Sequence, residues 1–459
     1  AVCLESDLQD GQMMEVEVRH HSVLLTRSEG KYSAIGNQCT HYGAPLSKGF
    51  ISGNRVRCPW HGSCFNAHTG DLEEYPGIDC LPCHKVHIQN SKVYVSINKK
   101  EKRIKSMSAA IPGVTHTILL LGGGAASLIC AETLRQENFG GRIIMVTRED
   151  LLPYDKTRLS KVMNVESDSI LMRRMEFFHQ YDIEVWLRKE ALSVDTDKKT
   201  VTFDDGSVQS YDQILISTGC RAKGLDVPGM NLGNIKMLET PEDMLTEKNV
   251  KFYMNDNVTE VRGTNGKVKD IVLKSGKVIP ADVLIVGIGC LHSCFLLKLV
   301  SCPTDHQFSV LILLLQYMRT NVPDVFCGGD LAIFPLAMAK NQMVNIGHWQ
   351  MAQAQGRIVA LNMLNKTTEL NSVPFYWTVL VGKTIRYTGY GEGYTEIIIK
   401  GKFEDRKFLA LYIKDDEVIA AAGLNFDPAV SAVAERLASG KVITKKEAQS
   451  DDLSWLQLS

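Results

Sequence analysis

The sequence predicts a multidomain chain: an N-terminal all-β module, an α/β domain of the dinucleotide-binding kind with a truncated insert, and a C-terminal α+β domain. Three observations predict it. Short strands at hairpin spacing fill Met13 to about Ile97. A buried strand, a glycine turn and a helix follow one another from Thr117. Alternating strands from Phe375 onward end in a helix around Ala429 to Ala438. The 459 residues suffice for about three domains. The boundaries read as 1–98, a linker at 99–116, 117–230 continued by 281–365, an insert at 231–280, and 366–459.

In the first module, Val16-Glu17-Val18, Val23-Leu24-Leu25 with a turn at Glu29-Gly30, and Val86-His87-Ile88 turning into Val93 to Ile97 are the strands. Between them stand Cys39-Thr40-His41 and, after sixteen residues, Cys58-Pro59-Trp60-His61. Two thiolates and two imidazoles at this spacing can hold a [2Fe-2S] cluster of the Rieske type, in which two histidines replace two cysteines on one iron. Neutral imidazole places less negative charge on the iron than thiolate does, so the potential rises. Tetrahedral zinc is the alternative. Zinc fingers, however, place cysteine beside cysteine and histidine beside histidine, whereas each half-motif here carries one of each. Gly43, Pro45, Gly49, Gly53 and Gly62 supply loop formers around the ligands. Ala44 and Trp60 stand where the respiratory type of Rieske protein has a loop disulfide, so this module resembles the ferredoxin and dioxygenase type. With Asp71, Glu73 and Glu74 nearby, the expected potential lies toward the low end of the Rieske range of about −150 to +300 mV. Cys80-Leu81-Pro82-Cys83-His84 matches a c-type haem attachment pattern, but it falls in a strand-turn region with no evident axial methionine.

Asn98 to His116, rich in Lys and Arg, reads as a solvated linker. Thr117 to Leu121 is then a buried parallel strand, Gly122-Gly123-Gly124-Ala125-Ala126-Ser127 the turn, Leu128 to Gln136 a helix, and Arg142 to Thr147 the next strand of a βαβ unit. The glycines let backbone N–H groups at a helix N-terminus approach a pyrophosphate. Ser127 is a steric departure from the usual small third residue. Glu149 is placed to accept from a ribose hydroxyl, or is a plain surface carboxylate. Tyr211 to Gly219 is a buried strand ending in Thr218-Gly219, Ala281 to Gly289 repeats that pattern, and Asn321 to Asp330 ends in Gly329-Asp330. This order resembles FAD proteins of the glutathione-reductase structural group, whose corresponding aspartate holds the ribityl chain.

Joined to the cluster motif, these segments resemble the Rieske-containing branch of the apoptosis-inducing-factor family. Pro153-Tyr154-Asp155-Lys156-Thr157-Arg158-Leu159-Ser160-Lys161 is similar to that group's Pro-Tyr-Asp-Arg-Pro-x-Leu-Ser-Lys segment, and Val344 to Ala352 to its flavin-flanking helix. The resemblance implies FAD held by Gly122, Gly124, Ala125, Ala126, Glu149, Lys156, Thr218, Gly219, Gly329 and Asp330, with Lys161 beside the flavin and Trp349 lining its ring. It also implies NAD(P)H as electron source, an external acceptor, a pro-apoptotic role, a mitochondrial location with the cytoplasm as alternative, and a C-terminal interface domain suited to homodimerisation. No Cys-x4-Cys follows the first βαβ unit, so electrons are expected to leave singly and not by thiol exchange.

The family's second dinucleotide fingerprint is missing. No Gly-x-Gly-x-x-Gly occurs from Met230 to Pro280, and Pro241-Glu242-Asp243 runs straight into Met244-Leu245-Thr246-Glu247. The nicotinamide site is therefore expected to be crippled, and the glutamate that the family pairs with the lysine matching Lys161 to be lost with it. Cys290 to Met318 is a second departure, apolar where the family is glycine-rich.

A formal charge of −1 with 22% charged residues offers no field for nucleic acid. The 12 cysteines are scattered, which fits a reducing compartment. The longest apolar run, Val310 to Leu315, falls short of the roughly 18 residues that span a bilayer, so a soluble protein without a transmembrane segment is expected. The chain opens at Ala1 with no charged segment leading into an apolar one, so its location is not read from the N-terminus. Two functions compete: an NAD(P)H-dependent FAD and Rieske oxidoreductase, and a signalling or scaffold flavoprotein without nicotinamide chemistry. A Rieske oxygenase would need a 2-His-1-carboxylate iron site, and no paired histidines stand at helical spacing outside the first module.

Overall fold

Period-two alternation builds the N-terminal module in the computed structural model, which describes residues 1–98, 103–160, 166–237, 253, 255–288, 290–292, 312–380 and 382–456. A six-stranded antiparallel sheet runs Cys3–Leu4, Lys92–Ser96, Cys83–Gln89, Lys31–Gly36, His21–Ser28, Gln12–Val18. A four-stranded sheet follows as Phe50–Ser52, Arg55–Arg57, Cys64–Asn66, Leu72–Glu74. Val23, Leu25 and Ala34 enter one core while Leu24 and Ile35 enter the other, so the central hairpin is covered on both faces. The two cluster half-motifs lie on the loops that leave Lys31–Gly36 and Arg55–Arg57.

The second domain is a five-stranded, fully parallel sheet in the order Ile183–Trp186, Arg142–Val146, Thr117–Leu121, Gln213–Ile216, Val325–Cys327. Its middle strand reads Thr-Ile-Leu-Leu-Leu because both faces are buried. Helix α1 (Ala125–Gln136) begins three residues earlier than expected, since Gly124 is extended (φ −92°, ψ −171°) and serves as the N-cap. It packs on helix α2 (Trp349–Met363), where a Cβ on Gly356 would lie 2.1 Å from the Ala126 carbonyl. All five strands point the same way, so the residues following them gather along one edge, where open α/β sheets bind ligands.

The insert keeps a small core of its own. Val258–Thr264, Lys267–Leu273 and Val278–Pro280 form an antiparallel meander, and Ile235–Met237 pairs in parallel with Leu284–Val286. Val261, Val268, Leu284 and Val286 are buried between them. Apart from Tyr253, the expected piece from Val250 to Met254 lies outside the described residues. Among the described residues no α-helix lies between Gln180 and Trp349, so the strand–turn–helix that a nicotinamide cofactor uses is not among them.

The C-terminal domain is an antiparallel sheet in the order Phe375–Leu380, Lys383–Gly389, Glu417–Leu424, Lys407–Lys414, Glu396–Lys402. Helix α3 (Ala429–Ala438) covers one face through Val430 and Val433 on Leu409, Leu411 and Ala421. Among the described residues, no helix is long and apolar enough to cross a membrane.

Charge pairs fasten the first module to the other two domains. Arg57, 1% exposed, donates from Nε to Glu435 Oε2 on α3 (2.9 Å) and from Nη2 to Glu74 Oε2 (3.0 Å). Arg55 joins Glu435 (2.6 Å) to Glu73 (2.7 Å). Arg173 binds Glu132 on α1 and Asp79 of the first module, each at 2.8 Å. Phe50 sits inside the core of the C-terminal domain. Residues 103–116 are mostly exposed, as a linker should be, yet they are tied down: Arg103 pairs with the Cys80 backbone, Ser108 N–H donates to Arg135 and Ile111 N–H to Gly140.

Removing Glu435 would leave two arginines without a carboxylate they are built around. Glu435→Ala is expected to cost about 3–5 kcal/mol in urea unfolding. Burial pushes the Glu435 carboxyl up, but Arg57 and Arg55 outweigh it and hold the group below its usual range. A depressed folded pKa contributes stability above the unfolded value of about 4.3 and loses it as pH falls through the folded one. Unfolding at pH 7 and pH 3.5 should therefore show a larger acid loss in the parent than in Glu435→Gln.

Candidate functional site

Cys39 and Cys58 are buried on facing loops, each held by its own backbone bonds: Cys39 N–H to Ala44 (2.9 Å) and Cys58 N–H to Ser63 (2.8 Å). The Cys58 thiol donates to Cys39. That bond holds Cys39 below the ordinary thiol range, while burial above all pushes Cys58 well over it. The Nδ1 atoms of His41 and His61 lie 3.1 Å apart. Burial lowers both imidazoles, His41 to about 4 and His61 to about 2, so each stays neutral near pH 7 with a lone pair free for a metal. Among the described residues no three Cys, His, Asp or Glu side chains are arranged as a single ion would require. The donors come as a sulfur pair and a nitrogen pair, which suits two irons and not one zinc. Ser63 stands beside Cys39 and helps to lower its thiol, and His41 Nε2 is buried without a hydrogen-bond partner. The site fits a [2Fe-2S] group held by Cys39, His41, Cys58 and His61.

Aromatic side chains from the first module and the C-terminal domain close over the histidines, and side chains of the second domain hold them. Tyr42 stacks on His41 (3.9 Å between centroids, 13°) and donates its hydroxyl to Asp155 of the second domain (2.6 Å), with Arg158 over its ring. Trp377 of the C-terminal domain packs 5.0 Å from the His61 ring, 5.9 Å from His41 and 5.0 Å from His348. His348 caps α2 beside Tyr376. Ser431 on α3 donates to the carbonyl of Cys58 (3.0 Å). Gly62, at φ +79°, faces Phe375 so closely that a Cβ would lie 2.6 Å from the ring. Tyr42, Trp377 and Ser431 carry no local motif; the adjacency of Tyr42 to His41 could have flagged the first, and His348 lay within the segment matched to the flavin-flanking helix without being singled out.

The expected FAD residues gather at the carboxyl edge of the parallel sheet. A Cβ on Gly122 (φ +115°) would lie 2.2 Å from the Ser217 carbonyl, whereas beside Gly124, at the start of α1, the space is open. Ala125 and Ala126 are buried and can offer only backbone there. Ser127 is buried with its hydroxyl 2.8 Å from that of Ser217, which accounts for its departure from the fingerprint. Thr218 and Gly219 follow the fourth strand and Gly329-Asp330 the fifth. Asp330 accepts from the Cys220 thiol (3.3 Å), and Gly329 N–H donates to Gln355, whose Nε2 is buried without a partner. Glu149 and Lys156 meet each other, at 2.8 Å. Trp349 is half-buried at the first turn of α2, and Lys161 lies outside the described residues. The open glycine turn, the carboxylate at the strand end and the orphaned amide fit FAD.

Two other features do not join the site. A cavity of about 730 Å³ lined by Gln213, Tyr317, Arg319, Phe326 and Asn365 opens at the opposite, amino-terminal edge of the sheet. The haem-like cysteines are engaged: Cys80 accepts from Leu72 N–H (3.5 Å), Cys83 donates to His68 (3.0 Å), and His84 Nδ1 accepts from Asn98. No disulfide joins the described cysteines.

Fold and site define an FAD- and Rieske-containing electron-transfer oxidoreductase. Residues 1–85 match the Rieske [2Fe-2S] domain, 116–244 and 239–356 the pyridine nucleotide-disulphide oxidoreductase domain, and 375–456 the reductase C-terminal domain. The chain belongs to the apoptosis-inducing factor 3 family, being 41% identical over 532 residues to the human protein of that name, an alignment covering 99% of this chain and 88% of the relative. It is 23% identical to the rubredoxin-NAD(+) reductase of Pseudomonas putida over 376 residues, 67% of this chain and 95% of that one. The reductase in the covalent putidaredoxin reductase–putidaredoxin complex shares the fold at TM-score 0.66, with 18% identity over 75% of this chain and 98% of that one. A 532-residue alignment onto 459 residues leaves at least 73 positions without a counterpart here. The middle family match breaks at 239–244, where the segment had looked cut. The reductase relatives do not favour a scaffold role without redox chemistry.

Cys58→Ala is expected to remove iron and acid-labile sulfide from the purified protein while its flavin absorbance persists. Iron, sulfide and flavin assays on one sample check this, and retained iron would return the site to another metal.

Proposed function

We propose that this chain carries electrons from a nicotinamide donor through FAD to its own Rieske cluster and on to an external one-electron acceptor. Bound FAD supplies a group that takes hydride and gives up single electrons, and the cluster a one-electron carrier. The observation that carries the reading is the ring of Trp377, set between His61 at 5.0 Å and His348 at 5.0 Å. It leaves an unbroken run of π-systems from the cluster ligands to the cap of the flavin-flanking helix. Tyr42, anchored on Asp155, covers one face of the His41 ring. Tethering the two centres in one chain replaces a diffusional encounter with a fixed one.

Trp377→Ala is expected to slow flavin-to-cluster equilibration at least tenfold after photoreduction of the flavin, with Trp377→Phe between it and the parent. Equal rates in all three would remove Trp377 from the path.

The donor carries its own test. Rubredoxin-NAD(+) reductase takes a nicotinamide by its name, while this chain lacks the fingerprint between Met230 and Pro280. Anaerobic NADH is expected to bleach the flavin band only at concentrations well above those needed by a full-length relative. If dithionite reduces the flavin and millimolar NADH does not, the nicotinamide part of the reading fails. A pro-apoptotic role is proposed from the name of the relatives alone; a mitochondrial location, with the cytoplasm as alternative, is tested by fractionation of tagged protein. Dimerisation through the C-terminal domain is read out by sedimentation.

A further inference from the structure

Arg386 is a buried cation without a carboxylate in hydrogen-bond range. It is 3% exposed, and its Nη1 donates to the Ile385 carbonyl (3.0 Å) and, at 3.4 Å, to that of Thr378. The Asp427 carboxylate stands 3.9 Å away, and Nε is buried with no partner. Arg57, by contrast, is matched by Glu435 and Glu74. A buried charge left in this state is costly and calls for a counter-charge.

The sheet register says where that counter-charge lies. Arg386 pairs directly with Trp377 across the Phe375–Leu380 and Lys383–Gly389 strands, so the two side chains share one face. On that same face, two residues along, Phe375 meets Gly62, and Trp377 itself packs on His61 and His41. The guanidinium therefore stands beside the second cluster loop. Arg386's strand neighbour Trp377 lies 5.0 Å from the His61 ring and 5.9 Å from that of His41, so one side chain separates this cation from both imidazoles.

Two ferric ions are balanced by two sulfides and two thiolates, so the oxidised cluster is neutral and one added electron leaves it negative. We propose that Arg386, supplied by the C-terminal domain, is the fixed cation that raises the reduction potential of the Rieske cluster, and that reduction in turn tightens the hold between module and domain. The second half follows from the first, because a coupling between two equilibria is reciprocal. No bond forms or breaks; one electron enters from the reductant. The inference rests on the [2Fe-2S] reading of Cys39, His41, Cys58 and His61.

The test is a dithionite titration of the full-length holoprotein followed by electron paramagnetic resonance. Arg386→Met is expected to shift the reduction equilibrium at least tenfold toward the oxidised cluster, 59 mV for one electron. Arg386→Lys, which keeps the charge, should stay within threefold of the parent. Asp427→Asn should move the equilibrium the other way, which keeps the test decisive if Arg386→Met does not fold. On reduction of the parent, amide exchange across 429–438 should slow. The proposal is overturned by Arg386→Met holding full iron and sulfide at the parent potential, by Asp427→Asn shifting in the same direction as Arg386→Met, or by faster exchange on reduction. A parent without iron and sulfide would overturn the Rieske reading instead.

Discussion

One buried guanidinium holds the molecule to its working shape. Arg57 leaves the strand that leads into the Cys58 loop and ends between Glu74 of its own module and Glu435 of helix α3. An ion pair in this position adds little net stability over a hydrophobic contact, because desolvation offsets the attraction. What it does is set register. With Glu435 fixed, Ser431 one turn earlier reaches the Cys58 carbonyl, Phe375 meets Gly62, and Trp377 and Arg386 arrive beside the histidines. A neutral contact would tolerate sliding; a paired guanidinium does not.

What was legible in the chain was whatever is encoded over short spans. Ligand spacing showed the cluster because each half-motif sits on a single tight loop. Strands ending in glycine showed the flavin edge because parallel strands deliver their successors to one side. The strands after Phe375 and the helix from Ala429 to Ala438 fell where alternation and helical periodicity placed them. The start of α1 shifted to Ala125 because the cap is a backbone conformation of Gly124 and not a side-chain signal. Glu149 and Lys156 were singled out separately, and their mutual pairing depends on the path of the loop between them. Trp377, Arg386, Ser431 and Tyr42 were illegible for a different reason: their partners lie in other domains.

The insert shows how a fold tolerates the loss of a central piece. Its hairpins pair locally and keep four buried side chains, so they need no neighbour that is distant in sequence. The parallel pair Ile235–Met237 and Leu284–Val286 closes the base on which the meander stands. The flavin edge draws on other strands, Thr117–Leu121, Gln213–Ile216 and Val325–Cys327, and is built without the insert. Loss of a cofactor fingerprint and survival of the adjoining cofactor site are thus compatible within one chain.

The clamp also orders events during synthesis. Arg57 and Glu435 are 378 residues apart, so at ribosomal speeds of about 5–20 residues per second the second partner emerges roughly 20–75 s after the first. Over that interval the module can fold on its own sheets while Trp377, Phe375 and Ser431 have yet to cover the cysteine and histidine loops. The nascent chain therefore offers iron–sulfur assembly machinery an uncovered ligand set that the finished protein encloses. A ribosome paused before helix α3 would lengthen that window.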